Sequence, residues 1–318
     1  MLKSKVVCST CGFKGTVPSD KFKHGTTLKC SSCGSDIVFH KNIHFKEQAH
    51  FNYVDANDFM HTQDLQAMQT LLKVPGLSLV LKTMIKNSYE VFQRISHWGE
   101  NIKVTTKTCG YIHDMVSSAS AILGVPCPDV FIAQRPYAEC YTTCVDKPLI
   151  TINSGMVELL NDEELYAIIA HEVGHVKCGH VVYNMLHRFI VKFPDLFGIT
   201  GMLLSGINIA ILEWRRKSEF SCDRAAAIVL NNKEVVISSL LKLAGGSPSL
   251  MNMMDFGDFQ KQYDEYNELI NGTGQKLVNT AAVIMREQPF PMVRAVELSK
   301  WKGFIKEEKV SHSAMFLA

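Results

Sequence analysis

The sequence has almost no net charge: 33 Lys and Arg stand against 31 Asp and Glu over 318 residues, a balance of +2. With no global field to hold a polyanion, a general nucleic-acid coat protein is a poor reading. Internal repeats and low-complexity tracts are absent as well, while 47% of the residues are apolar and the mean hydropathy is +0.04. Disordered and collagen-like chains are thereby set aside, and there is apolar material for one large domain plus a small one. The opening residues hold no apolar run of the length a secretory signal needs, so the expected compartment is the cytoplasm. Nor do the ten cysteines read as a disulfide framework. Four form two Cys-x-x-Cys pairs, and Cys109, Cys127, Cys140, Cys144, Cys178 and Cys222 are scattered, which fits metal binding plus buried thiols.

What is present divides at about residue 44. The lysine-rich start has short β-prone runs broken by Gly and Ser, and is too small to fold without a staple. Residues 41–63 are polar and without a period. Helical spacing then recurs over 65–74, 77–92 and 112–123, and three short strands are expected at 130–132, 139–145 and 149–152, the last two joined across Asp146-Lys147-Pro148. Further helices are expected at 156–160, 162–188, 214–230, 234–243, 259–269 and 293–301. The fold class is therefore mainly α with a small antiparallel β-sheet, plus a small N-terminal β zinc ribbon. Residues 196–212 carry no charge but include three glycines and an asparagine. They are expected as a buried or peripheral helical segment, with contact to a membrane as the other reading.

The ribbon is inferred from Cys8-Ser9-Thr10-Cys11-Gly12 and Cys30-Ser31-Ser32-Cys33-Gly34. Each Cys-x-x-Cys puts two sulfurs on one side of a tight turn, and the glycine allows a positive φ that aims backbone N–H groups at the thiolates. Four sulfurs close a structural zinc site with no position left for substrate. A partner for this ribbon is conceivable, though binding of nucleic acid is not expected.

The second constellation is His171-Glu172-Val173-Gly174-His175. Histidines four apart share one helical face and can hold one zinc, with Glu172 beside the open side of the metal as general base. A catalytic site of this type needs a third protein ligand. Glu219 is the best candidate, and Asp223, one turn later, is placed to fix a ligand histidine's tautomer. His113 and His187 are read as structural, as are Cys178 and Cys222. His180, about 140° around a continuous helix from His175, is also read as structural.

With these residues in place, the run from Pro148 to Asp223 resembles the HtpX-like zinc metallopeptidases, the family that also includes the CaaX prenyl endopeptidases. The resemblance covers roughly residues 110–302. It rests on 150–155 leading into Glu163-Glu164-Leu165, on the His-Glu-x-x-His motif and on Glu219-x-x-x-Asp223. It implies an α+β zincin-like domain with His171, His175 and Glu219 as ligands and Glu172 as catalytic base. Gln288-Pro289, with Arg294 beyond, resembles the family's His-Pro segment followed by an arginine, which would make Arg294 an active-site residue. Two departures stand out: Gln288 replaces the usual histidine, and Tyr137-Ala138 replaces the Asn-Ala that often opens the family's edge strand.

The expected organisation is a zinc ribbon at 1–44, linker and helices at 45–105, a metallopeptidase domain at 106–305 and a tail at 306–318. The expected activity is zinc-dependent endoproteolysis of extended or unfolded protein segments lying along Cys140, Tyr141 and Thr142, with two zinc ions per chain, one catalytic and one structural. The competing reading is a catalytically weak zinc module or a ribbon-centred adaptor for a protein or nucleic-acid partner.

Overall fold

The computed structural model describes residues 3–7, 10–11, 13–18, 27–38, 54–197, 201–245, 256–271 and 286–303. At the N-terminus two antiparallel hairpins pair β1 (Lys3–Val7) with β2 (Lys14–Pro18), and β3 (Thr27–Lys29) with β4 (Asp36–Val38). Four helices follow: α1 (Ala56–Phe59), α2 (Thr62–Leu71), α3 (Leu77–Lys86) and α4 (Tyr89–Glu100). The single helix expected over 77–92 is two, because Ser88 takes φ +51°, a left-handed conformation that a helix interior does not hold.

A four-stranded sheet is built from β5 (Ile102–Lys103), β6 (Asp129–Ala133), β7 (Cys140–Thr143) and β8 (Leu149–Asn153), with α5 (Gly110–Leu123) between the first two. The expected β7–β8 hairpin forms, with Cys140 opposite Ile152. The expectation of a wholly antiparallel sheet is corrected, since the strand order is β5-β6-β8-β7 and β8 runs parallel to β6, Asp129 opposite Leu149. All five residues of β8 are buried. A strand covered on both faces takes a central place with a neighbour on each side, and this leaves β7 at the edge.

The remaining helices are α6 (Ser154–Leu159), α7 (Asp162–Lys177), α8 (Val181–Lys192), α9 (Gly201–Leu230), α10 (Lys233–Gly245), α11 (Phe256–Asn271) and α12 (Pro291–Lys300). A capping box starts α7: Asn161 Oδ1 accepts from the Glu164 N–H at 2.9 Å, and Glu164 Oε2 accepts from the Asn161 N–H at 2.9 Å. Such a cap contributes about 1 kcal/mol. The same carboxylate takes a hydrogen bond from Ser238 and pairs with the buried Lys242, tying α7 to α10.

Two expected boundaries in this region are corrected. The helix expected at 162–188 ends at Lys177 and restarts at Val181. The helix expected from 214 begins at Gly201, so the uncharged segment is mostly the first part of α9. Leu204, Ile207, Ile211 and Trp214 recur at helical spacing and are buried against α2, α3 and α8, while Met202, Leu203 and Ile209 are exposed. Among the described residues no helix is long and apolar enough to cross a membrane.

Helices α7 and α9 pack closely where Gly174 faces Cys222 and Ala225. A Cβ on Gly174 would lie 2.9 Å from the Ala225 Cβ and 3.3 Å from the Cys222 Cα. Neither neighbour is the free end of a flexible side chain, so only glycine allows this approach. Gly174→Ala is accordingly expected to destabilise the protein by about 1–3 kcal/mol, measured by urea unfolding, because the two helices must move apart.

Candidate active site

His171, Glu172 and His175 share the buried face of α7, and Glu219 comes to them from α9. Nε2 of His171 lies 3.3 Å from Glu219 Oε2, and Nε2 of His175 lies 3.4 Å from Glu219 Oε1. Three donors of the types that hold zinc therefore converge, and Glu219 Oε2 is buried without a well-aligned hydrogen bond. This donor set fits a zinc ion. The sulfur of Cys222 also lies within 4.8 Å of ligand atoms on both histidines. It faces His180 Nδ1 at 3.5 Å, whereas both Nε2 atoms face Glu219. Burial, with Cys178 and Glu219 nearby, holds the Cys222 thiol well above its usual range.

Asp223 and Arg294 stand behind the histidines. Asp223 Oδ1 is 3.0 Å from His171 Nδ1, the position expected of a carboxylate that fixes the tautomer. Arg294, from α12, donates from Nε to Asp223 Oδ2 at 2.9 Å and from Nη2 to Oδ1 at 2.6 Å, and its Nη1 lies 3.1 Å from Glu219 Oε2. It is buried, and its guanidinium is engaged with the two carboxylates. Burial opposes ionisation of Glu219, but Arg294 and the two histidines outweigh it and keep that carboxyl well below the usual range. Burial and Arg294 both work against a charge on His171, yet hydrogen bonds to Asp223 and Glu219 raise it to about 9. For His175 burial prevails and lowers it to about 4.

Glu172 differs from Glu219 in that Arg294 pairs directly with Glu219, whereas Arg188 acts on Glu172 only through its charge. Burial pushes its carboxyl up to about 7, against the opposing pull of His171 and of a 2.7 Å hydrogen bond that Thr142 Oγ1 donates to Oε2. A carboxyl poised near neutrality suits a group that both takes and returns a proton. Thr142 belongs to the edge strand, as do Cys140 and Tyr141. All three line a cavity of about 470 Å³ together with His171, Glu172, His175 and Glu219. Tyr141 is fixed by His97 Nε2 at 3.1 Å and by Arg188 stacked 4.2 Å over its ring. Gln288 and Arg286 border the same cavity, on a segment that α9 holds through Arg215 to Glu287 at 2.9 Å and Arg216 to the Arg286 carbonyl at 2.9 Å.

Sequence reasoning missed one neighbour of the site. The turn after α7 is a Schellman motif: the Gly179 N–H donates to the Val176 carbonyl and the His180 N–H to the His175 carbonyl, with Gly179 at φ +71°. The break folds His180 back, so that its Nδ1 comes 3.1 Å from His175 Nδ1 instead of pointing away as in a continuous helix. Glycine after a lysine-ended helix was the available signal. In the N-terminal hairpins Cys11, Cys30 and Cys33 bring their sulfurs within 4.8 Å of one another, and Gly34 takes φ +73°. Cys8, the fourth expected ligand, lies outside the described residues.

Such a fold and site define a zinc metallopeptidase carrying a His-Glu-x-x-His helix. Residues 106–302 match Peptidase family M48, and the chain belongs to that family. It is 32% identical over 257 residues to a protein named plastoglobule-localized metallopeptidase 48, chloroplastic, of Arabidopsis thaliana, covering 79% of this chain and 74% of that one. It is 26% identical over 179 residues to protease HtpX homolog 2 of Methanosarcina acetivorans, covering 47% and 59% of the two chains. With protease HtpX of Acinetobacter baylyi the identity is 28% over 165 residues, covering 42% and 54%. The chain thus spans little more than half the length of these two HtpX proteins.

Proposed function

We propose that the chain is an endopeptidase for extended or unfolded protein segments, with His171, His175 and Glu219 as zinc ligands and Glu172 as general base. The observation that carries this reading is the edge position of β7 beside the cavity: among the described residues it pairs with β8 on one side only, and its Thr142 holds Glu172. A substrate strand laid along the open edge would gain backbone hydrogen bonds there, which selects extended over folded segments. When bound, zinc supplies Lewis acidity to the scissile carbonyl and acidifies the attacking water. Glu172 accepts the proton of that water through the carboxylate oxygen not engaged by Thr142, then returns it to the leaving amine. Arg294 and Asp223 hold Glu219 and His171 in place, and Gln288 borders the cavity where a carboxamide N–H could reach a developing oxyanion.

Glu172→Gln is expected to retain zinc and lose about 10²- to 10⁴-fold in cleavage of an unfolded protein such as denatured casein, since the amide keeps the shape but takes no proton. Full activity in the zinc-loaded variant would remove Glu172 from the mechanism. Absence of cleavage by the zinc-loaded wild type would favour a binding module instead.

A second zinc is proposed at Cys8, Cys11, Cys30 and Cys33, supported by the clustering of the three described sulfurs. Metal analysis should give two zinc ions per chain, with Cys30→Ser losing one and Glu219→Ala weakening the other. One zinc unchanged by either substitution would contradict both assignments.

Peripheral contact with lipid is supported by a separate observation. Ile85 on α3, Val91, Ile95 and Trp98 on α4, and Met202 on α9 are exposed, and Lys192 and Lys103 lie 4.4 Å and 4.3 Å over the rings of Phe92 and Trp98. The start of α3 adjoins the start of α9, where Leu203 and Ile207 pack beside Gly76. Apolar side chains flanked by lysines suit the headgroup boundary of an anionic membrane. The plastoglobule in the plant relative's name agrees with a lipid surface. Membrane-bound protein is expected to leave with alkaline carbonate, and retention until detergent is added would contradict a peripheral contact.

A further inference from the structure

Both ligand histidines named above have a second ring nitrogen that needs a partner. His171 has Asp223 directly. His175 has only another imidazole, His180, and an imidazole can accept from Nδ1 of His175 only if its own proton sits on Nε2. Nε2 of His180 is 3.1 Å from Asp64 Oδ2, close enough for an ion pair although not in line for a straight hydrogen bond. Asp64 comes from α2, outside the residues that match the peptidase family, and is fully buried.

Two donors fix this carboxylate. Trp214 Nε1–H donates to Oδ1 at 3.0 Å, and Ser221 Oγ, which accepts the His61 N–H at 2.9 Å, donates to Oδ2 at 2.5 Å. The indole is a donor only, so the atom facing it must be an acceptor. Burial alone would raise the Asp64 carboxyl, but His180, Ser221 and Trp214 hold it below its usual value. Proton positions then follow in order. Ionised Asp64 draws the His180 proton to Nε2, the bare Nδ1 of His180 accepts the proton on His175 Nδ1, and Nε2 of His175 is left as a lone pair facing Glu219.

We infer that Asp64 is a positioning residue of the peptidase centre, acting through His180 to set the tautomer of His175. This rests on the proposed ligand set. It also gives residues 54–100 a role in the site that a linker would not have. The peptidase centre would then be braced by two buried carboxylates, Asp223 on one imidazole directly and Asp64 on the other through a relay.

The sharpest variant is Asp64→Asn. Its carbonyl must face the Trp214 N–H, so its NH₂ faces His180, which reverses the proton order and puts hydrogen on His175 Nε2. The full-length protein is titrated with zinc against a chelator, counting only the zinc that Glu219→Ala loses. Asp64→Asn is expected to bind that zinc about 10- to 100-fold more weakly, the range typical of removing a partner behind a ligand. Equal affinity in folded Asp64→Asn would overturn the proposal. If Glu219→Ala loses no zinc, the ligand reading itself has failed. A readout on the unaltered protein guards against a variant that does not fold: ¹⁵N NMR of labelled histidines in the zinc-loaded wild type should find His180 protonated on Nε2 and His175 on Nδ1. A proton on His180 Nδ1 would overturn the relay whatever the variants do.

Discussion

How closely α7 and α9 approach at Gly174 decides the geometry of the centre. One helix brings two imidazoles and a carboxyl, the other brings a third donor, and at a wider separation Glu219 would not lie 3.3–3.4 Å from both Nε2 atoms. The contact is made by groups without bulk, Gly174 against Ala225 and the backbone of Cys222. Close packing of this kind transmits small changes in volume directly to the donors.

Holding buried charge there requires compensation from several directions. Arg294 reaches both Glu219 and Asp223 from α12, and α10 reaches the start of α7 through Lys242 and Glu164. Glu172 is treated differently from Glu219, the proposed ligand, although it too is buried: it has the Thr142 hydroxyl and feels Arg188 only through its charge, whereas Arg294 pairs directly with Glu219. Two glutamates of one type thus have divergent acidities because their neighbours differ, which suits the separate roles proposed for them as metal ligand and proton carrier.

The edge strand borders this chemistry directly. β7 is at once a wall of the cavity, the source of the Thr142 hydrogen bond and the open rim of the sheet. Burial of β8 on both faces leaves β7 in that position. The same logic separates the two halves of α9: its first part buries one stripe and exposes the other, whereas the part carrying Glu219 and Asp223 is buried nearly all round.

Short-range features were legible in the sequence. His171 and His175 share a face because four residues make about one helical turn, and Glu219 and Asp223 lie on one face for the same reason. The three main strands and the β7–β8 turn were readable from pattern and turn chemistry. What only tertiary structure decided involves packing between distant segments: β8 between β6 and β7, the continuity of α9 back to Gly201, and Arg294 bridging Asp223 and Glu219 across 71 and 75 residues of chain. His180 shows the boundary between the two. Spacing along an ideal helix turned it away from His175, but one glycine at φ +71° ended that helix and folded it back, which set its second nitrogen 3.1 Å from the buried Asp64 of α2.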